Sequence, residues 1–443
     1  MDEPQLRQQV DLIREVFSYQ SRFDGKTMVF KIDYPVIESE SFPLLIKDLA
    51  VLRQTGIQIV IIPGAKERID EVLDRYGVES DFKRGIRVSP PEAIPFIKMA
   101  AFDAANRVMT LFSANRVDAL IGTFVRARAI GVIEGLDYEQ SGKIDRVTAE
   151  PVEQLMDMGL VPVFPCIGWS ASGKPYNLSS DELALAVAQA LNAVKLFFVT
   201  PGPGINKKYF ETSEDMDLAD DGRVIRLTVE QAERFLWLNP DEQAPDVRRV
   251  ELAAQACQAG IDRVHIVDGT IEGVILKELF SALGIGTMIY KSPSDAFRPM
   301  KERDISEVLR LMRPLVEKGI LKERSEEDVR SQLADYVVCD SDGMLRACGA
   351  LHVYREESSA EIAAIAVNPS FTQIGLGKHL ISYLTEKARA EGLRRVFVLT
   401  TQSQDWFESL GFVEGGIKDL PARKQEHYDY KRKSEVYYLD INQ

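Results

Sequence analysis

The sequence predicts an α/β protein in two parts: a mostly parallel sheet sandwiched between helices, then a smaller α+β domain. Three observations lead there. Short apolar runs alternate with helical segments from about residue 26 to 290, the rhythm of strand–helix–strand units. That rhythm breaks in the polar, Pro-containing stretch YKSPSDAFRPM at 290–300. Beyond it hairpin strands dominate, with one strand–loop–helix unit embedded among them. At 443 residues the chain exceeds one ordinary domain. The expected divisions are an N-terminal helix at 1–25, a first domain at 26–290, a linker at 291–297 and a second domain at 298–443.

The elements follow in order. LRQQVDLIREVFSYQSRF repeats apolar residues near i, i+3/i+4 and i+7, a helical period. KTMVFKI is a buried strand by its β-branched and aromatic content, and FPLLIKDLAVLRQTG a helix that stops at Gly56. IQIVIIPGA is a strand, KERIDEVLDRYG a helix, LVPVFPCIG a strand, SSDELALAVAQALNA a helix and VKLFFVT a strand. In the second part, RDISEVLRLMRPLVEKG reads as a helix with Asp304 as N-cap and Glu307 at capping-box spacing. YVVCDSDGMLRACGALHVY is a hairpin around SDG, and AEIAAIAV a further strand. The loop NPSFTQIGLGK, a long helix to Gly392, the strand RRVFVLT, the helix SQDWFESLG and the strands GFVEG and EVYYLDI complete it.

Composition excludes several classes. The chain is 45% hydrophobic and 28% charged, as soluble globular proteins are. A formal net charge of −14 argues against a general nucleic-acid binder. No apolar run approaches the roughly 20 residues of a membrane helix, and the start lacks a secretory pattern. Cys166, Cys257, Cys339 and Cys348 show no CxxC spacing and sit in apolar stretches, as reduced thiols of a cytoplasmic protein do. The four histidines are scattered, so no metal site is expected.

Gly375 and Gly377 stand at the mouth of the long helix. A helix start carries unpaired N–H groups and partial positive charge, and glycines let an anion approach them. The GxxxxGK[ST] spacing of a nucleotide P-loop is missing. The order of elements around this loop resembles the GNAT acyltransferase family, whose loop runs Arg/Gln-x-x-Gly-x-Gly/Ala and cradles the diphosphate of acetyl-CoA. Gly375 and Gly377 match, Thr372 replaces the first Arg or Gln, and WFESLGF is similar to the family's FYxxxGF through Gly411 and Phe412. The resemblance implies acetyl-CoA bound by Thr372, Gln373, Gly375, Leu376, Gly377 and Lys378, with main-chain N–H groups of Ile365, Ala366 and Val367 on the thioester carbonyl. It implies Glu361 as the base for the acceptor amine and Thr400 as the hydrogen-bond donor to the departing sulfur. With Cys339 and Cys348 in apolar surroundings, direct attack is expected.

The first part is similar to the amino-acid kinase family. Lys31 and Asp181 match that family's lysine and aspartate, but Asp33 and Tyr34 replace two glycines, Gly64 alone remains of a glycine-rich turn, and Arg249 replaces a second lysine. A carboxylate and a bulky ring beside a triphosphate oppose phosphoryl transfer, so kinase chemistry is expected to be lost. An amino-acid-kinase-like domain ahead of a GNAT domain resembles the N-acetylglutamate synthase family of arginine biosynthesis, across nearly the whole chain. That resemblance implies L-glutamate as acceptor, held by Arg324 and Arg432, and L-arginine as effector, bound by Tyr19, His265, Glu278, Gly284 and Gly286. It also implies a homo-oligomer assembled through the kinase-like domain, with no membrane or nucleic-acid partner. Two other readings stay open: a bifunctional chain that keeps N-acetylglutamate kinase activity, and a non-catalytic arginine-sensing module.

Overall fold

A computed structural model describes residue 17 and residues 23–241, 244–280, 284–291, 297–341, 344–368 and 375–441. The chain divides into two compact units, Met1–Lys291 and Ser292–Gln443. Nearly all of the expected N-terminal helix, and residues 292–296 of the expected linker, lie outside the described residues.

The first unit is built on a nine-stranded sheet. Near its centre Thr27–Ile32 lies parallel to Gln58–Pro63 on one side and on the other to the central strand Lys195–Thr200, which in turn pairs in parallel with Arg263–Asp268. TMVFKI and KLFFVT are buried at every position, as strands covered on both faces must be. Alternate residues feed different cores: Met28, Phe30 and Ile32 join one apolar cluster, Val29 the other. Lys31 shares the parity of Val29, and so faces the layer that holds the helices Ser180–Ala190 and Pro245–Gln258.

LVPVFPCIG is not one strand. Val161–Val163 joins the main sheet, whereas Ile167–Trp169 enters a separate four-stranded sheet. Pro165 has no N–H to continue the ladder, and the chain turns there, with Ile167 N–H donating to the Pro165 carbonyl at 2.7 Å.

The second unit holds a seven-stranded sheet in the order Phe297–Pro299, Tyr336–Ser341, Met344–Tyr354, Ser359–Val367, Arg395–Thr400, Glu435–Asp440, Val413–Gly415. Among these, only Ser359–Val367 and Arg395–Thr400 pair in parallel, joined by the helix Leu376–Ala390. The helix Ile305–Glu317 buries Ile305, Val308 and Met312 against Cys348, Ala350, Ala364 and Ala366 on one face. Leu380 and Leu384 cross the bare Cα of Gly349 on the other.

The capping box expected at Asp304 does not form. The Asp304 backbone is already helical (φ −85°, ψ −14°), and its carboxylate instead accepts the Lys301 N–H at 2.7 Å and the Arg298 guanidinium at 2.6 and 3.0 Å. Glu307 accepts the Leu345 N–H at 3.3 Å. A competing arginine and an earlier turn thus take both side chains from the roles their spacing implies.

Candidate active site

The parallel pairing at the centre of the second sheet is short. Ser359–Arg395, Ala360–Val396 and Glu361–Phe397 are in register, and there the ladder ends. Both strands run on, to Val367 and Thr400, each held on its outer edge by an antiparallel neighbour. Main-chain groups of alternate residues are directed to opposite neighbours. Beyond Glu361 and Phe397 no pairing between the two strands occurs among the described residues, and the half of those groups aimed inward lines a slot between them. A bulge adds to this: Ala350 pairs with Ala363 and Cys348 with Ala366, so Gly349 alone faces Ala364 and Ile365. Ala364 takes φ +54°, the left-handed conformation that re-aims the backbone into Ile365–Val367.

Glu361 occupies the last rung before the slot and is 6% exposed. Its Oε2 lies 2.6 Å from Lys424 Nζ, and the Tyr354 hydroxyl bonds to the same carboxylate. Burial, followed by the charge of Glu361, pushes the Tyr354 pKa above the usual tyrosine range. His352 stands opposite Glu361 in register, hence on the same face, with Nδ1 2.7 Å from Asp335 Oδ2. No spacing rule ties residues 335, 352, 354 or 424 to 361; pairing across the sheet and a distant helix bring them in, so the sequence reading missed all four.

Thr400 is buried three residues beyond Phe397, about 10 Å along the strand. The odd offset turns it to the face opposite Glu361. Its oxygen accepts the N–H groups of Ser403 at 3.0 Å and Gln402 at 3.4 Å, which leaves its own proton to donate elsewhere. The slot thus has the Glu361 carboxylate on one side and the Thr400 hydroxyl on the other. Cys339 and Cys348 are buried, and burial pushes the Cys348 thiol up to about 12, unfit for a nucleophile at neutral pH.

Thr372 and Gln373 lie outside the described residues. Gly375 opens the helix at φ +67°. His379 N–H to Gly375 O, at 3.2 Å, is an i to i−4 bond from the helix start, so the N–H groups of Leu376, Gly377 and Lys378 precede the ladder. A Cβ on Gly377 would make a tight contact, 3.2 Å, with the Trp406 indole. Trp406, in WFESLGF, packs over this helix start.

Arg324 and Arg432 are both tied to the segment that follows Ile305–Glu317. Arg324 lies on the segment after Ile305–Glu317, where its charge acts on Tyr336 and Cys348, residues on the face of Glu361. Arg432 donates to the carbonyls of Ile320 and Gly319 on that same segment.

In the first unit, Lys31 Nζ bonds to Asp33 and lies 2.6 Å from Asp181 Oδ1. Arg249 bonds to Asp33 and Asp246, each at 2.8 Å. Burial alone would lower the Lys31 pKa; the Asp181 and Asp33 carboxylates outweigh it and hold the ammonium above its ordinary value. Both cations are thus ion-paired with carboxylates of the chain, although Arg249 Nε has no hydrogen-bond partner among the described residues. Elsewhere, Glu278 accepts from His265 Nδ1 at 2.7 Å, Ile285 N–H at 2.7 Å and Gly286 N–H at 2.9 Å. Burial would raise the Glu278 pKa, but these donors bring it to about 2. Burial lowers the pKa of His265, whose Nε2 is buried with no hydrogen-bond partner among the described residues. Gly284 and Gly286 are tight against this group: a Cβ on Gly284 would meet Glu278 Oε2 at 2.7 Å, and one on Gly286 the Ile266 carbonyl at 2.4 Å. Tyr19 lies outside the described residues.

Comparison with known proteins agrees with both halves. The Amino acid kinase family model matches residues 26–268, and the Acetyltransferase (GNAT) family model residues 304–412. The amino-acid acetyltransferase of Pasteurella multocida is 32% identical over 432 residues, 96% of each chain. That of Vibrio cholerae is 31% identical over 444 residues, 97% of each. The N-acetylglutamate synthase of Neisseria gonorrhoeae complexed with coenzyme A and L-arginine is 29% identical, with a TM-score of 0.80, over 98% of this chain and 99% of that one. The same enzyme complexed with coenzyme A and N-acetyl-glutamate gives 30% identity and a TM-score of 0.61 over the same shares. With a kinase-type and a GNAT domain in one chain, and whole-length likeness to these relatives, the chain belongs to the amino-acid acetyltransferase family.

Proposed function

We propose that this chain makes N-acetyl-L-glutamate and coenzyme A from acetyl-CoA and L-glutamate, with L-arginine as effector. The observation that carries the reading is the slot between Glu361 and Thr400, with a base and a proton donor on opposite faces of one opened sheet. Glutamate arrives as an ammonium and needs a lone pair. Glu361 takes the proton, directly or through one water. The amine attacks the thioester carbonyl from the Glu361 face, main-chain N–H groups of Ile365–Val367 receive the developing oxyanion, and the sulfur departs toward the Thr400 hydroxyl. Arg324 and Arg432 hold the two glutamate carboxylates through their planar forks. The diphosphate of acetyl-CoA rests on the helix start at Gly375, Leu376, Gly377 and Lys378, with Thr372 and Gln373 before it.

L-Arginine is assigned to Tyr19, His265, Glu278, Gly284 and Gly286. A carboxylate offers about four lone pairs, and three donors already use Glu278, so a guanidinium can take what remains without breaking the set. Lys31 and Arg249 are each already paired with carboxylates of the chain, which repel a phosphate, and the first unit is read as regulatory and not as a kinase. The reading extends to a cytoplasmic homo-oligomer joined through that unit; no helix among the described residues is long and apolar enough to cross a membrane.

The test is thiol release from acetyl-CoA with L-glutamate, against other amino acids, repeated with L-arginine. Glutamate-dependent release altered by arginine is expected. Release that prefers another amino acid, or none, overturns the substrate assignment, and ADP release with N-acetylglutamate and Mg·ATP overturns the regulatory reading of the first unit.

A further inference from the structure

The carboxylate read above as the base for the substrate amine already holds an amine of the chain itself. Lys424 Nζ lies 2.6 Å from Glu361 Oε2, where an acceptor ammonium must place its proton. The lysine stands on the short helix Ala422–Glu426, whose own contacts fix its place beside the sheet. Ala422 N–H donates to the Glu357 carboxylate at 3.1 Å, and the Gln425 amide donates to the Leu420 carbonyl at 2.7 Å. The Lys424 side chain is 22% exposed, against 8% for Glu361. Its neighbours Lys418 and Lys431 are exposed.

We propose that Lys424 is an internal acetyl acceptor: with acetyl-CoA bound and glutamate scarce, the chain acetylates its own Lys424. The proposal rests on Glu361 as base and on the slot as the acetyl-CoA site. The step balances without any further reagent. Glu361 takes one proton from the ammonium, and the Nζ lone pair attacks the thioester carbonyl. The N–C bond forms as the C–S bond breaks. The second ammonium proton, lost from the attacking nitrogen, passes through solvent to the departing thiolate. The products are Nε-acetyl-Lys424, a neutral amide, and free coenzyme A. A neutral amide no longer pairs ionically with Glu361, so the modification changes the charge state around the base. Glutamate prevents it, because its ammonium displaces Lys424 from the carboxylate before attack.

The full-length protein is incubated with acetyl-CoA, with and without L-glutamate, and acetyl groups are located by intact mass and peptide mapping. Thiol release with glutamate is measured on the same preparation. One acetyl per chain is expected, on Lys424, suppressed by glutamate, absent from Lys424→Arg and slowed about a hundredfold or more in Glu361→Gln, the range of a lost general base. Glutamate-dependent thiol release without acetyl on Lys424 overturns this inference and leaves the proposed function standing. Acetyl spread equally over Lys418 and Lys431, or unchanged in Glu361→Gln, marks uncatalysed reaction and also overturns it. Absence of glutamate-dependent thiol release refutes the proposed function itself.

Discussion

Replacing Glu278 by glutamine removes one buried charge while keeping its shape. The carboxylate is held by His265 and by the N–H groups of Ile285 and Gly286, all within 2.9 Å. Burial works against the charge, but the donors win and depress the pKa from 4.5 to about 2. That depression corresponds to about 3 kcal/mol of stability at neutral pH. A bond count gives the same size: three bonds to a charged acceptor each weaken by about 1 kcal/mol when the acceptor becomes neutral. The glutamine oxygen can still accept both amides, and its NH₂ can face a His265 that burial keeps neutral, so packing loss adds little. A depressed carboxylate stabilises above its unfolded pKa, and the contribution fades as pH falls from 4.5 toward about 2. Urea unfolding at neutral pH, with hydrogen exchange along Arg263–Asp268 reporting the first unit, should show Glu278→Gln destabilised by about 3 kcal/mol. The gap should narrow below pH 4.5, where the unfolded wild-type chain takes up a proton that the folded carboxylate still refuses. A loss under about 1 kcal/mol, or a gap that does not narrow in acid, would refute the ionised, amide-held carboxylate.

Other expectations follow from single contacts. Glu361→Gln should lower kcat by about 10²–10⁴ with little change in KM for acetyl-CoA, read by thiol release. Arg324→Ala and Arg432→Ala should each raise KM for glutamate. Because Arg432 also bonds to the Ile320 carbonyl on the Arg324 loop, the double variant should lose less than the two single losses combined. Arg298→Ala leaves the buried Asp304 with only the Lys301 N–H and a distant Arg303, and should cost the second unit about 1–3 kcal/mol in denaturant; Arg298→Lys should rescue little, lacking the fork. Gly375→Ala forces a side chain to φ +67°, a strain of about 1 kcal/mol, and should weaken coenzyme A binding by several-fold in calorimetry.

Much of this architecture was legible in the sequence because its signals are local. Strand TMVFKI, apolar apart from Thr27 and Lys31, proved buried at every position; helix KERIDEVLDRYG stops at Gly77, which takes φ +63°. The glycine at the helix mouth and the glutamate on AEIAAIAV could be placed on their elements, although their roles came from resemblance. What stayed hidden depends on pairing between distant segments. The bulge at Gly349 is set by register, and nothing in AEIAAIAV marks Ala364 for a left-handed backbone. Lys424 reaches Glu361 across 63 positions. Asp304 had the right spacing for a cap, but Arg298 offered a stronger partner.

The early end of the Glu361–Phe397 ladder has a colloidal consequence. A sheet that parts in its middle leaves two raw inner borders, each a template on which a foreign strand could dock. Coenzyme A carries amide groups along an extended arm, so an acyl donor lying in the slot would act as a surrogate strand and blunt both borders at once. Protein stored without it should precipitate sooner on warming than protein saturated with it, even where the two differ little in the contacts of either core.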